Sequence, residues 1–500
     1  MSPDQILVLS FSKSAVEELK SRLRPLLNLT KAGVMDDAEF KEETRMIRTL
    51  HSLAYESMKE MGAKLLSTDK FQKFCDEKGW DISPSMGGLF EMRDGGTHDR
   101  VWNVLERSRL SGRPIEELTP YAGEVALARR LKDEYDEFKE NENVCDYTEM
   151  IEFAITNRAV PAGIRAILVD EAQDMCDLMY RYHQVLLQEL QEGGFSAWYG
   201  DEDQCLYTFM EAEPRFFVEM PAEHTVLGEQ SYRVPTRIAA LAQSIIEKNR
   251  DRLPKIIQGV RGGGEIIDCD SVSSAADEAM KRDGEVLWLA PTNHQVDMIK
   301  AQLLAAGYPV KLSRDLEDAK RAMRLIQDKP KTLTQEELGL LLTAKVGKKL
   351  IPLRKDWFVS PRDFNKWYQG TLNGSRIYPP EGLEIATDDR LTDKFKALFN
   401  VGAIEGLGLD DRQLKVLASL GESRETGRIQ LMTIHAAKGL EAPTVVLCSE
   451  ARGKMYEGFI DQPDTLRRLL FVGVTRAKET LIFHRRANTT TRELRKLVGA

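Results

Sequence analysis

Two adjacent carboxylates, Asp170 and Glu171, close an apolar run in the segment Ile167-Leu168-Val169-Asp170-Glu171-Ala172-Gln173-Asp174. Unbroken apolar character reads as a parallel strand covered on both faces, and ligands of such sheets gather at the carboxyl ends of strands. An aspartate there suits a magnesium ion, and the glutamate beside it suits the orientation or deprotonation of a water, which is the chemistry of a magnesium nucleotide site. An acidic surface loop has the same letters. The weight therefore falls on what accompanies the pair.

Gly200-Asp201-Glu202-Asp203-Gln204-Cys205-Leu206-Tyr207-Thr208-Phe209 follows a second expected strand, Ala197-Trp198-Tyr199. Gln204 can sense a terminal phosphate there. Tyr207 and Phe209, two apart, share one face of an extended segment, as a base-stacking platform or as two core aromatics. Gln230-Ser231-Tyr232-Arg233 and Thr475-Arg476-Ala477-Lys478 each offer an arginine whose planar fork suits phosphate oxygens. In Thr433-Ile434-His435-Ala436-Ala437-Lys438-Gly439-Leu440-Glu441, Gly439 permits close backbone approach and Glu441 can accept from a sugar hydroxyl. Thr433 and His435 can donate to DNA phosphates. Ser10-Phe11-Ser12-Lys13-Ser14-Ala15 and Thr49-Leu50-His51-Ser52-Leu53-Ala54 each open a helix after a strand. Their hydroxyls and aromatic ring suit a phosphate backbone and a stacked base, and equally a helix cap over a core phenylalanine and a structural histidine.

These segments need strands and helices to hold them. Residues 6–10, 163–170, 195–200, 225–228, 285–290, 429–433, 443–448 and 479–483 read as short buried strands. Residues 14–23, 178–190, 236–247 and 293–304 carry apolar positions at helical spacing, so the alternation implies two parallel α/β layers. Residues 55–145 and 313–428 break the alternation with charged, mainly helical sequence, and read as insertions.

A chain of 500 residues exceeds one compact core and predicts two to four domains. Hydrophobic content of 42% and charged content of 30% describe a globular protein. The net charge of −9 offers no global attraction to nucleic acid, so any such binding must come from local grooves. Six cysteines without a CxxC argue for buried thiols and against zinc or iron-sulfur chemistry. With no apolar run of membrane length and no basic leader, no membrane partner is expected, and the expected setting is the cytoplasm of a bacterial or phage-infected cell.

Taken in order, the segments resemble the superfamily 1 DNA helicases of the UvrD/Rep/PcrA type over residues 6 to 484. SFSKSA resembles that family's motif Ia, TLHSLA motif Ib, VDEAQD motif II, GDEDQCLYTF motif III, QSYR motif IV, TIHAAKGLE motif V and FVGVTRAK motif VI. The resemblance implies two RecA-like domains: 1A from residues 1–54 and 146–228, and 2A from residues 229–312 and 429–500. Helical insertions 1B and 2B would occupy residues 55–145 and 313–428. It implies ATP and Mg2+ as cofactors, with Asp170 and Glu171 at the metal and Glu171 activating the attacking water. Gln204, Arg233 and Arg476 would meet the γ-phosphate, and Gly439 and Glu441 the nucleotide. Phe11, Ser12, Thr49, His51, Tyr207, Phe209, Thr433 and His435 would line a track for single-stranded DNA, used in 3′ to 5′ translocation and at duplex/single-strand junctions in replication, repair or recombination.

The sequence departs from that pattern in two places. No GxxxxGK(S/T) phosphate loop occurs in it, which removes the backbone cradle, lysine and hydroxyl that would share magnesium with Asp170. The expectation is an amino-terminally truncated reading of a full motor, severely impaired by itself, or a DNA-binding relative that has lost hydrolysis. The missing strand should also leave residues 167–169 without a neighbour. Met210-Glu211-Ala212 stands where relatives carry Arg-Gly-Ala, which removes one inter-domain or DNA contact.

Overall fold

The computed structural model describes residues 1–30, 35–60, 62, 64–82, 96–311, 345–346, 349–350, 427–448 and 463–484. In the amino-terminal part, β1 (Ile6–Ser10), β2 (Ile47–Thr49), β3 (Ala166–Val169) and β4 (Phe195–Trp198) form a parallel sheet in the order β2-β1-β3-β4. Leu7, Leu9, Ile167 and Val169 are buried in its core, each full burial of such a side chain contributing about 1.5–3 kcal/mol. β3 pairs with β1 on one side and β4 on the other, so the expectation that residues 167–169 lack a neighbour is corrected. Each of the four strands ends in one of the quoted segments, which gathers them along a single carboxyl edge.

A second parallel sheet follows the order β7-β6-β8-β9-β5, from β5 (Glu265–Cys269), β6 (Val286–Ala290), β7 (Ile429–Thr433), β8 (Ala442–Cys448) and β9 (Ala477–His484). It is covered on both faces: Leu287, Leu289, Val445 and Leu447 belong to one apolar cluster, while Val286, Trp288, Ala290 and Val446 belong to another. That alternation is the period-two geometry of a strand. Gly473 lets the helix Pro463–Val474 approach β8, since a Cβ there would lie 2.8 Å from Leu447. The two α/β domains of the expected class are therefore present.

Two strand expectations differ from the structure. Residues 225–228 form no strand, because Val226 is 91% exposed and has no sheet to enter; the short pairing falls instead between Gln230–Ser231 and Gln258–Gly259. β5 was not foreseen, its sequence Glu-Ile-Ile-Asp-Cys carrying charges at an edge position.

Helices fill the described part of residues 55–145, among them α1 (Thr97–Ser111) and α2 (Ala122–Glu142), around their own core of Phe74, Val101, Leu131 and Tyr135. The second expected insertion, residues 313–428, lies almost wholly outside the described residues. No described helix is long and apolar enough to cross a membrane.

Candidate functional site

Immediately after β3 the chain turns sharply. Glu171 takes φ 54° and ψ 40°, a left-handed conformation that costs a non-glycine residue about 1 kcal/mol. The turn is over-determined by hydrogen bonds: the Asp170 amide donates to Leu9 O at 2.8 Å, and the Ala172 amide to Tyr199 O at 3.0 Å. Gln173, fully buried, donates to the Glu171 carboxylate at 2.6 Å and accepts from the Asp201 amide at 2.9 Å. One amide side chain thus ties the turns after β3 and β4 together. Gly200 makes room for it, since a Cβ there would sit 2.4 Å from Gln173 Oε1.

Asp170 accepts from the Ser10 hydroxyl at 3.3 Å. Burial, then the charge of Glu171, raises its carboxyl above the usual carboxylate range. Adjacent carboxylates offer the hard oxygen donors that magnesium takes, so the donor chemistry of Asp170 and Glu171 is compatible with that ion. The only acidic trio of metal-ligand geometry among the described residues lies elsewhere, at Asp201, Glu202 and Asp203. There Lys255 sits 2.7 Å from Asp201 and 2.6 Å from Glu202, and Arg252 pairs with Asp203 at 2.9 Å, so protein cations already fill it.

From the second sheet, Lys438 and Arg476 reach this edge. Lys438, in the turn after β7, pairs with Asp174 and lies 3.1 Å from Glu171. Burial pulls its ammonium's proton affinity down, but the two carboxylates override this and hold it above the ordinary lysine range. Burial takes Asp174 up to about 6. Arg476, just before β9, is 1% exposed and donates to Gln204 at 3.2 Å, while Gln204 donates to Asp201 at 2.7 Å. Burial, then the neighbouring charge of Arg233, brings Arg476 down to about 10, with Glu171, Asp201 and Glu441 opposing. The Arg233 guanidinium itself pairs with Glu441, which Lys478 also meets at 3.0 Å. Gly439 turns at φ 85° with open space where a Cβ would stand. Of the residues expected at the nucleotide, Glu171, Gln204, Arg233, Glu441 and Arg476 lie within electrostatic or hydrogen-bond reach of one another, and Lys438, which had been assigned no part, pairs with Glu171. Its motif was legible in the sequence; its partner, 264 positions away, was not.

The nucleic-acid candidates divide. Phe11 and Tyr207 stack with ring centroids 4.9 Å apart, Phe209 lies 6.0 Å from Tyr207, and His435 meets Phe209 edge-on at 5.6 Å. Aromatics from both halves thus form one cluster. The extended geometry expected for Tyr207 and Phe209 is corrected to a 3-10 turn, Tyr207–Met210, closed by the Ala212 amide on Tyr207 O at 3.2 Å and the Glu211 amide on Thr208 O at 3.1 Å. Ser12, Thr49 and Thr433 accept from the amides of Ala15, Ser52 and Ala436 at 3.1, 3.2 and 3.2 Å, so their hydroxyls serve local turns and caps. Burial takes the His51 imidazole down to about 4 and also lowers His435, so burial favours the neutral ring at both positions.

Comparison with known proteins agrees with this geometry. The UvrD/REP helicase N-terminal domain matches residues 1–225, and the UvrD-like helicase C-terminal domain matches residues 399–487. ATP-dependent DNA helicase Rep of Salmonella typhimurium is 24% identical over 96% of this chain and 83% of its own length. Its Escherichia coli counterpart is 23% identical over the same shares, and DNA helicase II of Escherichia coli is 22% identical over 100% of this chain and 79% of its own length. With both domain models matched in order and together spanning more than half of the sequence, the chain belongs to the UvrD/Rep family of superfamily 1 helicases.

Proposed function

We propose that this chain is the motor body of an ATP-dependent 3′ to 5′ DNA translocase and helicase acting on single-stranded DNA and duplex/single-strand junctions. The observation that supports this reading is the contact of Arg476 with Gln204 between the two sheets, within electrostatic reach of Glu171. Glu171 orients and deprotonates the attacking water, and its backbone turn and Gln173 fix its direction. Arg476 and Arg233 offer guanidinium forks to a transferring phosphoryl group, and Gln204 reports its presence to the Tyr207 turn. Asp170 would hold the magnesium of a bound nucleotide, and the ion supplies charge neutralisation at phosphate oxygens. Gly439 and Glu441 would face the nucleotide from the second domain. Phe11, Tyr207, Phe209 and His435 would stack and flank the bases, with His51, Ser12, Thr49 and Thr433 along the backbone path.

These 500 residues hold no phosphate loop, so ATP turnover by them alone is proposed to be severely impaired. The same observation favours a second reading, a DNA-binding or regulatory relative that does not hydrolyse ATP. Strand displacement on a 3′-tailed duplex separates the two readings when the chain carries a phosphate-loop segment ahead of Met1. ATP-dependent unwinding supports the motor; DNA binding without any ATP turnover supports the alternative.

A further inference from the structure

Glu211 closes the turn Tyr207–Met210 at φ 61° and ψ 22°, a conformation that glycine adopts freely and a side chain strains. Its carboxylate is buried, 7% exposed, and turns toward the helical insertion. Arg107 of α1 donates to it at 2.6 Å, and Arg113, just past the end of that helix, lies 3.5 Å away. The backbone on either side is part of the same closure: the Glu211 and Ala212 amides hold the carbonyls of Thr208 and Tyr207, and the Glu213 amide donates to Met175 O at 3.0 Å, behind the carboxylate turn. A strained residue persists where its surroundings over-determine it, and here a buried, two-armed ion pair does so.

We propose that Glu211 is a positioning residue through which the helical insertion holds the Tyr207–Phe209 turn and thereby sets the stacking platform for single-stranded DNA. The inference rests on the DNA-binding reading above for its consequence, and on the ion pair alone for its mechanism.

The test uses the 500-residue chain with Arg107→Met and Glu211→Gly, singly and combined. Hydrogen exchange at the Ala212 amide should quicken about tenfold in Arg107→Met, whose side chain reaches the turn through Glu211. Binding of a fluorescent oligothymidine should weaken about tenfold in each single variant and no further in the double, because both remove one coupling. The slope of affinity against salt should stay that of the unaltered chain, whereas a lost phosphate contact lowers it by about one. Glu211→Gly also relieves the backbone, so its weaker binding should accompany an undiminished melting temperature. Unchanged Ala212 exchange in Arg107→Met overturns the proposal, as does a Glu211→Gly chain that binds oligothymidine as well as the unaltered one. If the unaltered chain binds no oligothymidine, the DNA-binding reading fails and the exchange measurement still decides the positioning role.

Discussion

Lys438 and Glu171 lie 3.1 Å apart between the two sheets, with Asp174 as the second partner of the same ammonium. The lysine comes from the turn that also carries His435, and the glutamate from the turn that begins at Asp170. A change at the aromatic cluster can therefore reach the carboxylate proposed to activate water through one side chain.

Removing that ammonium should be costly because Asp174 is 1% exposed and has Lys438 as its one cation among the described residues. Lys438→Met is expected to destabilise the fold by about 3 kcal/mol, and adding Asp174→Asn should recover most of it. Guanidinium unfolding midpoints of the single and double variants check this. Equal midpoints for Lys438→Met and the unaltered chain would count against it.

Gly200→Ala places a methyl 2.4 Å from Gln173 Oε1, so Gln173 must leave the Asp201 amide or Glu171. The expected loss is about 1–3 kcal/mol, with faster exchange at the Asp201 amide. If exchange there is unaltered, Gln173 does not couple the two turns.

His183 and His51 set an acid limit on stability. Burial takes each imidazole down to about 4 from the ordinary 6.5, so folding favours the neutral ring. Their contribution is complete above pH 6.5 and is lost as pH falls from 6.5 towards 4, by about 3 kcal/mol for each ring at the limit. Asp174, raised to about 6, works in the opposite sense: its contribution is present near pH 4 and lost as pH rises through 6. The His183→Phe chain isolates the first effect. Its urea midpoint should fall less steeply than that of the unaltered chain between pH 6.5 and 4, and parallel curves would refute the assignment.

Tyr207→Ala removes the ring that stacks on Phe11 and stands 6.4 Å from His435. Affinity for oligothymidine should drop about tenfold or more, the worth of one base stack. Fluorescence anisotropy measures it, and full affinity without the ring would leave the cluster as core packing alone.

Strands with unbroken apolar runs were plain in the sequence, as were the polar segments that end them: Ala166–Val169 and Val286–Ala290 are buried where the pattern said. β5 was hidden because an edge strand tolerates charge, and residues 225–228 misled because apolar letters on an exposed loop look like a strand. The carboxylates, Gln204 and the arginines were legible as types at strand ends. Their partners were not. Lys438 with Glu171, Lys255 with Asp201 and Arg107 with Glu211 are meetings of distant segments, and no local spacing encodes them. The 3-10 turn at Tyr207 was missed for a related reason, since its closure depends on Glu211 holding a left-handed conformation that sequence preferences disfavour.

Residues from both domains are proposed to form one DNA-stimulated ATP hydrolysis site with Glu171 as its base. Steady-state ATP hydrolysis, with and without oligothymidine, tests it in the chain joined to a phosphate-loop segment and in its Glu171→Gln variant. Oligothymidine should accelerate hydrolysis and Glu171→Gln should lower it about a hundredfold or more, against near-background turnover by the 500 residues alone. Hydrolysis indifferent to oligothymidine, or undiminished by Glu171→Gln, would contradict it.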